Sequence, residues 1–535
     1  MNSISLPEVN ITLNSVANPS VGERRVLICG QTGVTIGESN VAGTATTGIP
    51  VSNVHLLPLA SIQSLFGAHS ILAHSIIKFL NASARQCALD VLPVAAPTGT
   101  PDAASATIAV SSGPATEAKT MRINVISKKD FTANVSVAVG DTASEVADAI
   151  QAAVDALTDG VYAPFTCEEE ADTITITAAD VGTIGNNFSI SVENVPAGLT
   201  VAVTAFGSGS GAPTLTTIFG NLDDIRYTGI LFPRDWEGSI EQAKTLLETR
   251  WNLVNVIQDG VAVVGYYDTA SNINTKVSDM NTQVLLYLGN GVATDGNTLV
   301  KGGAITHYED FLAAEFLAYR DTRLTEGANT APMVATNSPL DQIGGMSLAS
   351  LPYFNTPLPG VPQPSDLSGL FTSTDMSALA DAGYTVVGKD IRNSGMLLGF
   401  TVTTYKYNTN GTEDTTFKYL NYVDTASMIR EYIFNQFKAD FAQKRLTSGS
   451  LPGGRSYTNA QIIRATVKTY FNELSQSELY GSLVMGGSEA EQFINKHLNV
   501  SVDFVNRAVT ISAQVPIVGQ LGTINFPITI TTTLS

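Results

Sequence analysis

The sequence predicts a multidomain α+β and α/β protein with an α/β core, an inserted β-rich α+β domain and terminal β-strand arms. The chain has 535 residues, of which 44% are hydrophobic, enough for about two to four domains with buried cores. Strand and helix patterns alternate after Pro213, as is typical of a largely parallel sheet. Between about residue 95 and Pro213, alternating strands rich in Ala, Thr, Ser, Gly and Val indicate a separate unit.

The N-terminal arm, residues 1–20, is predicted to contain one short strand. Val9, Ile11 and Leu13 alternate with polar residues, which is the period-two pattern of a strand with one apolar face. No neighbouring segment supplies a partner for so isolated a strand. We therefore expect it to pair with a sheet elsewhere.

The core is predicted to combine residues 21–94 with residues 213–447. The apolar run from Val26 to Cys29 ends at Gly30 and indicates a buried strand. Ser239 and Gln242 are spaced as a helix capping box. The further elements predicted here are helices at about 58–66, 69–80 and 308–320, and strands at 225–232 and from 261 and 282 onward.

The inserted domain is predicted to span residues 95–212 and to end in the linker GSGSGAP. Within it, Val146, Ile150 and Val154 recur at helical spacing, with Asp141 or Thr142 placed to cap the helix.

The rest of the chain is predicted to contain a Pro-rich loop, a hairpin and a C-terminal domain. Seven prolines between residues 328 and 375 argue against regular structure. Asn410 and Gly411 suit the tight turn of a hairpin. The C-terminal domain, residues 448–535, follows a helix at 424–445, and its predicted elements are helices at 458–474 and 488–497 and strands at 500–504, 509–515 and 524–530.

Charge and cysteine content exclude several classes of partner. The formal net charge of -19 repels nucleic acid and anionic membranes, and no basic run offsets it. Cys29, Cys87 and Cys167 are too few and too far apart for a disulfide framework or a zinc site, which favours a reducing compartment. The start lacks a signal-peptide pattern, and we expect no membrane insertion.

The sequence contains no recognisable catalytic pattern. We therefore predict that the protein is not an enzyme and has no catalytic, cofactor-binding or metal site. The loop from Gly30 to Gly37 has glycines after a strand but lacks the Lys-Ser/Thr of a phosphate-binding loop. His69 and His74 are five residues apart and point in different directions on a helix. The acidic clusters at Glu168 to Glu170 and at 223–224 have no calcium-loop context.

Three segments of the sequence resemble the contractile tail sheath proteins of Mu-like bacteriophages. The first runs from Ser377 through a hairpin with Thr403, Thr404 and Tyr405 to the helix that holds Arg430. The second is DTASEVADAIQAAVDAL followed by TITITAADVGTIGNNFSI, and the third is the ending VTISAQVPIVGQLGTINFPITI. The segments occur in the order that the family has.

The resemblance implies a structural subunit of the virion tail, made in the bacterial cytoplasm, that stacks as six-fold rings around a tail tube and contracts. It implies contacts with copies of itself, the tube, the baseplate and the tail terminator, an outer position for residues 95–212 and a tube-facing one for 448–535. Unpaired terminal strands fit a polymer joined by β-augmentation. The residues expected to contact neighbouring subunits are Val9, Ile11, Leu13, Ile524, Phe526, Ile528 and Ile530.

Two alternatives fit the sequence less well. A capsid or tail-terminator subunit could share the Ala/Thr/Gly-rich insertion and the strand-rich ends. A nucleotide-binding enzyme would use the loop from Gly30 to Gly37 and would be stabilised by nucleotide.

Overall fold

The structure is a computed structural model of the chain. It describes residues 3–5, 9–12, 24–32, 50–94, 97, 102–127, 130–157, 163–211, 219, 222, 225–233, 236, 239–253, 257–289, 309–325, 352–360, 371, 373–389, 396–448, 457–476, 483–505 and 508–518.

Strands and helices alternate along most of this length. The strands are β1 (Ser3–Ser5), β2 (Val9–Thr12), β3 (Arg25–Gln31), β4 (Leu89–Val94), β5 (Ala103–Ser112), β6 (Lys119–Ile126), β7 (Asp130–Val137), β8 (Phe165–Glu170), β9 (Thr173–Val181), β10 (Ser189–Glu193), β11 (Leu199–Gly207), β12 (Tyr227–Leu231), β13 (Val261–Gly265), β14 (Leu285–Gly289), β15 (Pro357–Leu358), β16 (Tyr384–Lys389), β17 (Met396–Leu398), β18 (Arg445–Leu446), β19 (Tyr457–Thr458), β20 (Asn499–Asp503), β21 (Ala508–Ser512) and β22 (Gln514–Pro516). The helices are α1 (Leu59–Phe66), α2 (Ile71–Ala82), α3 (Ala143–Asp155), α4 (Ile240–Trp251), α5 (Ala270–Ser278), α6 (Glu309–Thr325), α7 (Ser373–Ala382), α8 (Leu420–Phe441), α9 (Ala460–Gln476) and α10 (Ser488–His497).

An eight-stranded sheet forms the centre of the molecule, in the order β15-β17-β16-β14-β13-β12-β3-β4. The six strands from β16 to β4 are parallel, and β17 and β15 add an antiparallel edge. Strands β12, β13 and β14 are buried along their whole length, because helices such as α2, α4, α6 and α7 pack on the sheet. The predicted mixed α/β multidomain class is confirmed.

The segment from β5 to β11 has a hydrophobic core of its own. A four-stranded sheet, β11-β5-β9-β8, and a three-stranded sheet, β10-β6-β7, enclose it together with α3. The α3 helix begins at a capping box, because the Thr142 hydroxyl accepts the Glu145 N–H and the Glu145 carboxylate accepts the Thr142 N–H. The predicted cap at Thr142 is confirmed.

The C-terminal elements share the core of the central sheet. Val509, Ile511 and Val515 are buried in the same continuous cluster as the strands β3 and β12. Their strands form two small sheets, β2-β21-β20 and β1-β22. Helices α9 and α10 pack against β20 and β22 respectively.

Two local predictions are corrected by the structure. Ser239 precedes α4, but its side chain makes no capping hydrogen bond, since its φ of -111° and ψ of 8° depart from the extended backbone that a capping residue adopts. In the predicted hairpin, Gly411 has a positive φ of 73° and Asn410 does not. The hairpin is held by isolated bridges, Val402 with Tyr419 and Tyr407 with Glu413.

None of the helices in the described part of the chain is long and apolar enough to cross a membrane.

Candidate assembly interface

The two ends of the chain meet in the C-terminal sheets. Strand β1 pairs antiparallel with β22, with Ile4 opposite Val515. Strand β2 pairs antiparallel with β21, with Val9 opposite Ile511 and Ile11 opposite Val509. The N-terminal strand that lacked a partner in the sequence therefore has one in the same chain, almost 500 residues away along the sequence.

The predicted intersubunit residues are only partly located. Val9 and Ile11 lie in β2, whose backbone partner is β21 of the same chain. Leu13, Ile524, Phe526, Ile528 and Ile530 lie outside the described residues. Contact of all seven with a neighbouring subunit stays a prediction.

Strand β20 forms one edge of the three-stranded sheet. It pairs with β21 on one side, and within the described residues no strand pairs with its other side. Val500 and Val502 pack toward the core, whereas Asn499, Ser501 and Asp503 are exposed. Such an edge presents unpaired N–H and C=O groups to any extended chain that reaches it.

Exposed apolar side chains also occur in the C-terminal part of the chain. Val505, at the turn after β20, is 90% exposed, and Phe504 is 50% exposed. Val518, just after β22, is 41% exposed. Single exposed apolar residues are ordinary, but Phe504 and Val505 are adjacent and directly follow β20, which makes this end of the strand suited to protein contact.

Helices α8 and α9 pack against each other and against β2 and β20 respectively. The Tyr470 hydroxyl donates to Asp440 over 2.6 Å, and Tyr470 packs edge-on against Tyr432. Burial raises the pKa of Tyr470, and the hydrogen bond to Asp440 raises it further. The hydroxyl therefore stays protonated and keeps its role as donor.

Arg24, the first residue described after the N-terminal arm, forms an ion pair with α8. Arg24 and Arg226 donate to the same carboxylate, Glu431, over 2.9 and 2.8 Å. Arg24 also donates to the carbonyl of Leu324 at the end of α6. Burial alone would raise the pKa of Glu431, but the two guanidinium groups outweigh burial and lower it.

Two further buried ion pairs hold α8 on the central sheet. Arg320 of α6 donates to Asp424 over 2.5 Å, and Tyr353 donates to the same carboxylate over 2.6 Å. Arg430, which is fully buried, pairs with Asp259 just before β13. Sequence reasoning missed these pairs because the partners are more than 100 residues apart. The one sign of these pairs in the sequence is a charged residue, such as Asp424 or Arg430, among the apolar residues of a helical pattern.

The carboxyl end of β3, in the part of a parallel sheet where α/β proteins usually bind ligands, is contacted by the inserted domain. Asp180 of β9 accepts the N–H of Ile71 at the start of α2 over 3.0 Å. The side chain of Gln31 donates to the carbonyl of Val181 over 2.8 Å. A carboxylate of the chain itself thus occupies the helix N-terminus that a phosphate would use.

The glycine and histidine residues that were candidates for a functional site make ordinary packing, stacking and hydrogen-bond contacts. Gly30 lies against Leu72, which leaves no room for a side chain at that position, and residues 33–37 of the loop lie outside the described part. His69 contacts the carbonyl of Ala163 over 2.7 Å, and His74 stacks on Phe311.

Metal and thiol chemistry have no assembled site in the described residues. No cluster of three or more potential metal ligands occurs among them. The three cysteines are buried and form no disulfide, and burial raises the pKa of Cys167 to about 12.

Comparisons with known proteins give remote structural likenesses. No protein-family model matches the sequence, and no curated protein matches it. Among solved structures, the sheath tail protein Lin1278 from Listeria innocua is similar, with 12% identity over 94% of each chain and a TM-score of 0.43. A chain of the anti-feeding prophage baseplate is similar over 97% of each chain, with 8% identity and a TM-score of 0.39. At TM-scores this low, neither likeness supports an inference about this chain.

Proposed function

We propose that this chain is a structural subunit of a contractile phage-type tail sheath. In this proposal it resides in the virion tail, stacks as six-fold rings with copies of itself around a tail tube, and drives the tube through the host envelope when the stack contracts. The observation that carries the proposal is that the N-terminal strands β1 and β2 pair with C-terminal strands, beside an edge strand, β20, that has no outer partner among the described residues. Such an edge can accept a strand from another copy, and repetition without closure yields a helical polymer.

The distribution of charge supports self-association at the C-terminal sheets. Residues 448–535 contain five basic and five acidic residues, whereas the rest of the chain contains 24 basic and 43 acidic residues. Copies that carry a formal charge of -19 repel one another. The neutral C-terminal region is therefore where two copies can approach at the lowest electrostatic cost.

The packing around α8 suits a subunit that moves as a rigid body. The ion pairs of Glu431, Asp424 and Asp259 fix α8 to the central sheet, and α8 is followed by the elements that carry the strand edge. A contracting lattice requires subunits that rotate without unfolding while their flexible connections stay joined. We propose residues 95–212 as the outer domain and residues 448–535 as the tube-facing domain of such a subunit.

The contacts of the inserted domain with the end of β3 and the start of α2 disfavour the nucleotide-binding alternative. Asp180 neutralises the N-terminus of α2, and a nucleotide phosphate there would meet a carboxylate. We expect ATP or GTP to leave the melting temperature of the protein unchanged.

Electron microscopy of the concentrated, purified protein tests the proposal. We expect striated cylinders, whereas closed shells or single rings would support a capsid or terminator role. Val505→Asp, next to the strand edge, should lower the fraction of protein in cylinders by at least about tenfold, because it places a charge in an apolar contact. The matched control is Val139→Asp, an exposed valine of the inserted domain, which should assemble normally.

A further inference from the structure

A small cavity lies within the ion pairs that hold α8 to the central sheet. Its volume is about 20 Å³, and it lies between α4, β13, α6 and α8. Its lining residues include Arg226, Asp259, Arg320 and Asp424, all buried, together with Trp251. The volume exceeds the roughly 10–15 Å³ of accessible space that one water molecule needs.

Two buried polar atoms at this cavity have no hydrogen-bond partner among the described residues. They are Nε of Arg226, a donor, and Oδ2 of Asp259, an acceptor. Arg226 and Asp259 are 2% and 3% exposed. A buried charged group with an unmet hydrogen bond costs about 1–3 kcal/mol or more, so both atoms favour a ligand in the cavity.

The charges around the cavity decide what that ligand is. Three guanidinium groups, those of Arg24, Arg226 and Arg320, and two carboxylates, those of Asp259 and Asp424, line it, so both signs of charge are present. An anion in the cavity would meet the carboxylates of Asp259 and Asp424, and a cation would meet the guanidinium groups. A water molecule can accept from one atom and donate to the other.

We infer that this cavity is a binding site for one ordered water molecule, which bridges Arg226 and Asp259. The water accepts the Nε–H of Arg226 and donates to Oδ2 of Asp259. It completes the polar network that joins α8 to β13, and its two hydrogen bonds to buried charged groups make its exchange with solvent slow. This site is independent of the proposed role in a tail.

A high-resolution structure of the full chain tests the site directly. We expect one peak in the cavity, within about 3.2 Å of both Nε of Arg226 and Oδ2 of Asp259. Crystals soaked in bromide should show no anomalous peak there. An empty cavity, or a bromide peak, would overturn the inference.

Water relaxation dispersion provides the second measurement, because it counts long-lived internal water in solution. Val261→Ile adds a methylene group at the cavity wall and should remove one long-lived water. Val263→Ile, the same change on the same buried strand but away from the cavity, should leave the count unchanged. Equal numbers of long-lived water molecules in both variants and the parent protein would contradict the site. If Val261→Ile does not fold, the high-resolution structure of the unaltered chain decides between the outcomes.

Discussion

At the scale of single residues, the buried charges of α8 are the main structural finding. Asp424, Arg430 and Glu431 each pair with a residue of the central sheet or of α6. Buried pairs add little net stability compared with apolar residues, but removal of one partner leaves a charge without compensation. The pairs therefore fix where α8 lies more than they strengthen the core.

Arg430→Met is expected to destabilise the folded chain by about 3–5 kcal/mol, because Asp259 is left buried without its cation. Urea unfolding measures the loss. Arg445→Met, at an exposed position just after α8, is the matched control and should change stability by less than about 0.5 kcal/mol. Arg430→Met combined with Asp259→Leu should recover most of the loss. A single variant as stable as the control would show that the pair has no role in holding α8.

Glu431 makes the stability dependent on acidic pH. Its pKa in the folded protein is lowered from the ordinary value of 4.5, so its contribution is fully present above that value and is lost as pH falls through the folded pKa. Glu431→Gln should therefore reduce the decline in unfolding free energy between pH 6 and pH 3. Parallel declines in the parent and the variant, measured by urea titration at each pH, would contradict this assignment.

At the scale of elements, the inserted segment makes apolar and hydrogen-bond contacts with the core, which the flexible composition of its flanking linkers does not predict. Ile71, at the start of α2, is buried in the core of the inserted segment. Asp180 accepts the Ile71 N–H, and Gln31 reaches the Val181 carbonyl. Helix α2 is nevertheless capped also by its own Ser70. The junction thus combines an apolar contact with buried hydrogen bonds.

Replacement of residues 95–212 by a flexible linker should preserve assembly if Ile71 is also changed to Ser. Without that change, the deletion exposes an apolar side chain, and we expect a fold destabilised by roughly 1.5–3 kcal/mol that aggregates. Circular dichroism reports folding, and electron microscopy reports cylinders. A deleted chain that is folded with Ile71→Ser but never assembles would show that the inserted domain takes part in the lattice.

At the scale of the whole molecule, the chain joins a net acidic body to a C-terminal region whose charges balance, and the N-terminal strands β1 and β2 pair with that region. Strand β2 occupies one side of β21, and β20 occupies the other. Among the described residues no strand lies on the outer side of β20, and we propose that an incoming strand extends the sheet there. Residues 519–535 carry the alternating apolar pattern that such a strand needs.

Deletion of residues 522–535 should abolish the polymer and leave the internal core folded. Each apolar side chain that becomes buried contributes about 1.5–3 kcal/mol, so loss of Ile524, Phe526, Ile528 and Ile530 removes several kcal/mol per contact. Phe526→Asp with Ile528→Asp should have the same effect. Sedimentation measures assembly, and circular dichroism measures folding. Cylinders of normal stability from the truncated chain would mean that this segment completes its own subunit.

The sequence by itself determined the fold class and the principal helices, because period and capping are local properties. The run Val26 to Cys29 predicted a buried strand, and Thr142 with the repeat of Val146, Ile150 and Val154 predicted α3. Only the tertiary structure decided that β2 pairs with β21, that Asp180 closes the crevice and that Arg430 meets Asp259. Each of these contacts joins residues more than 100 positions apart, and no local pattern specifies which distant partner satisfies a strand edge or a buried charge.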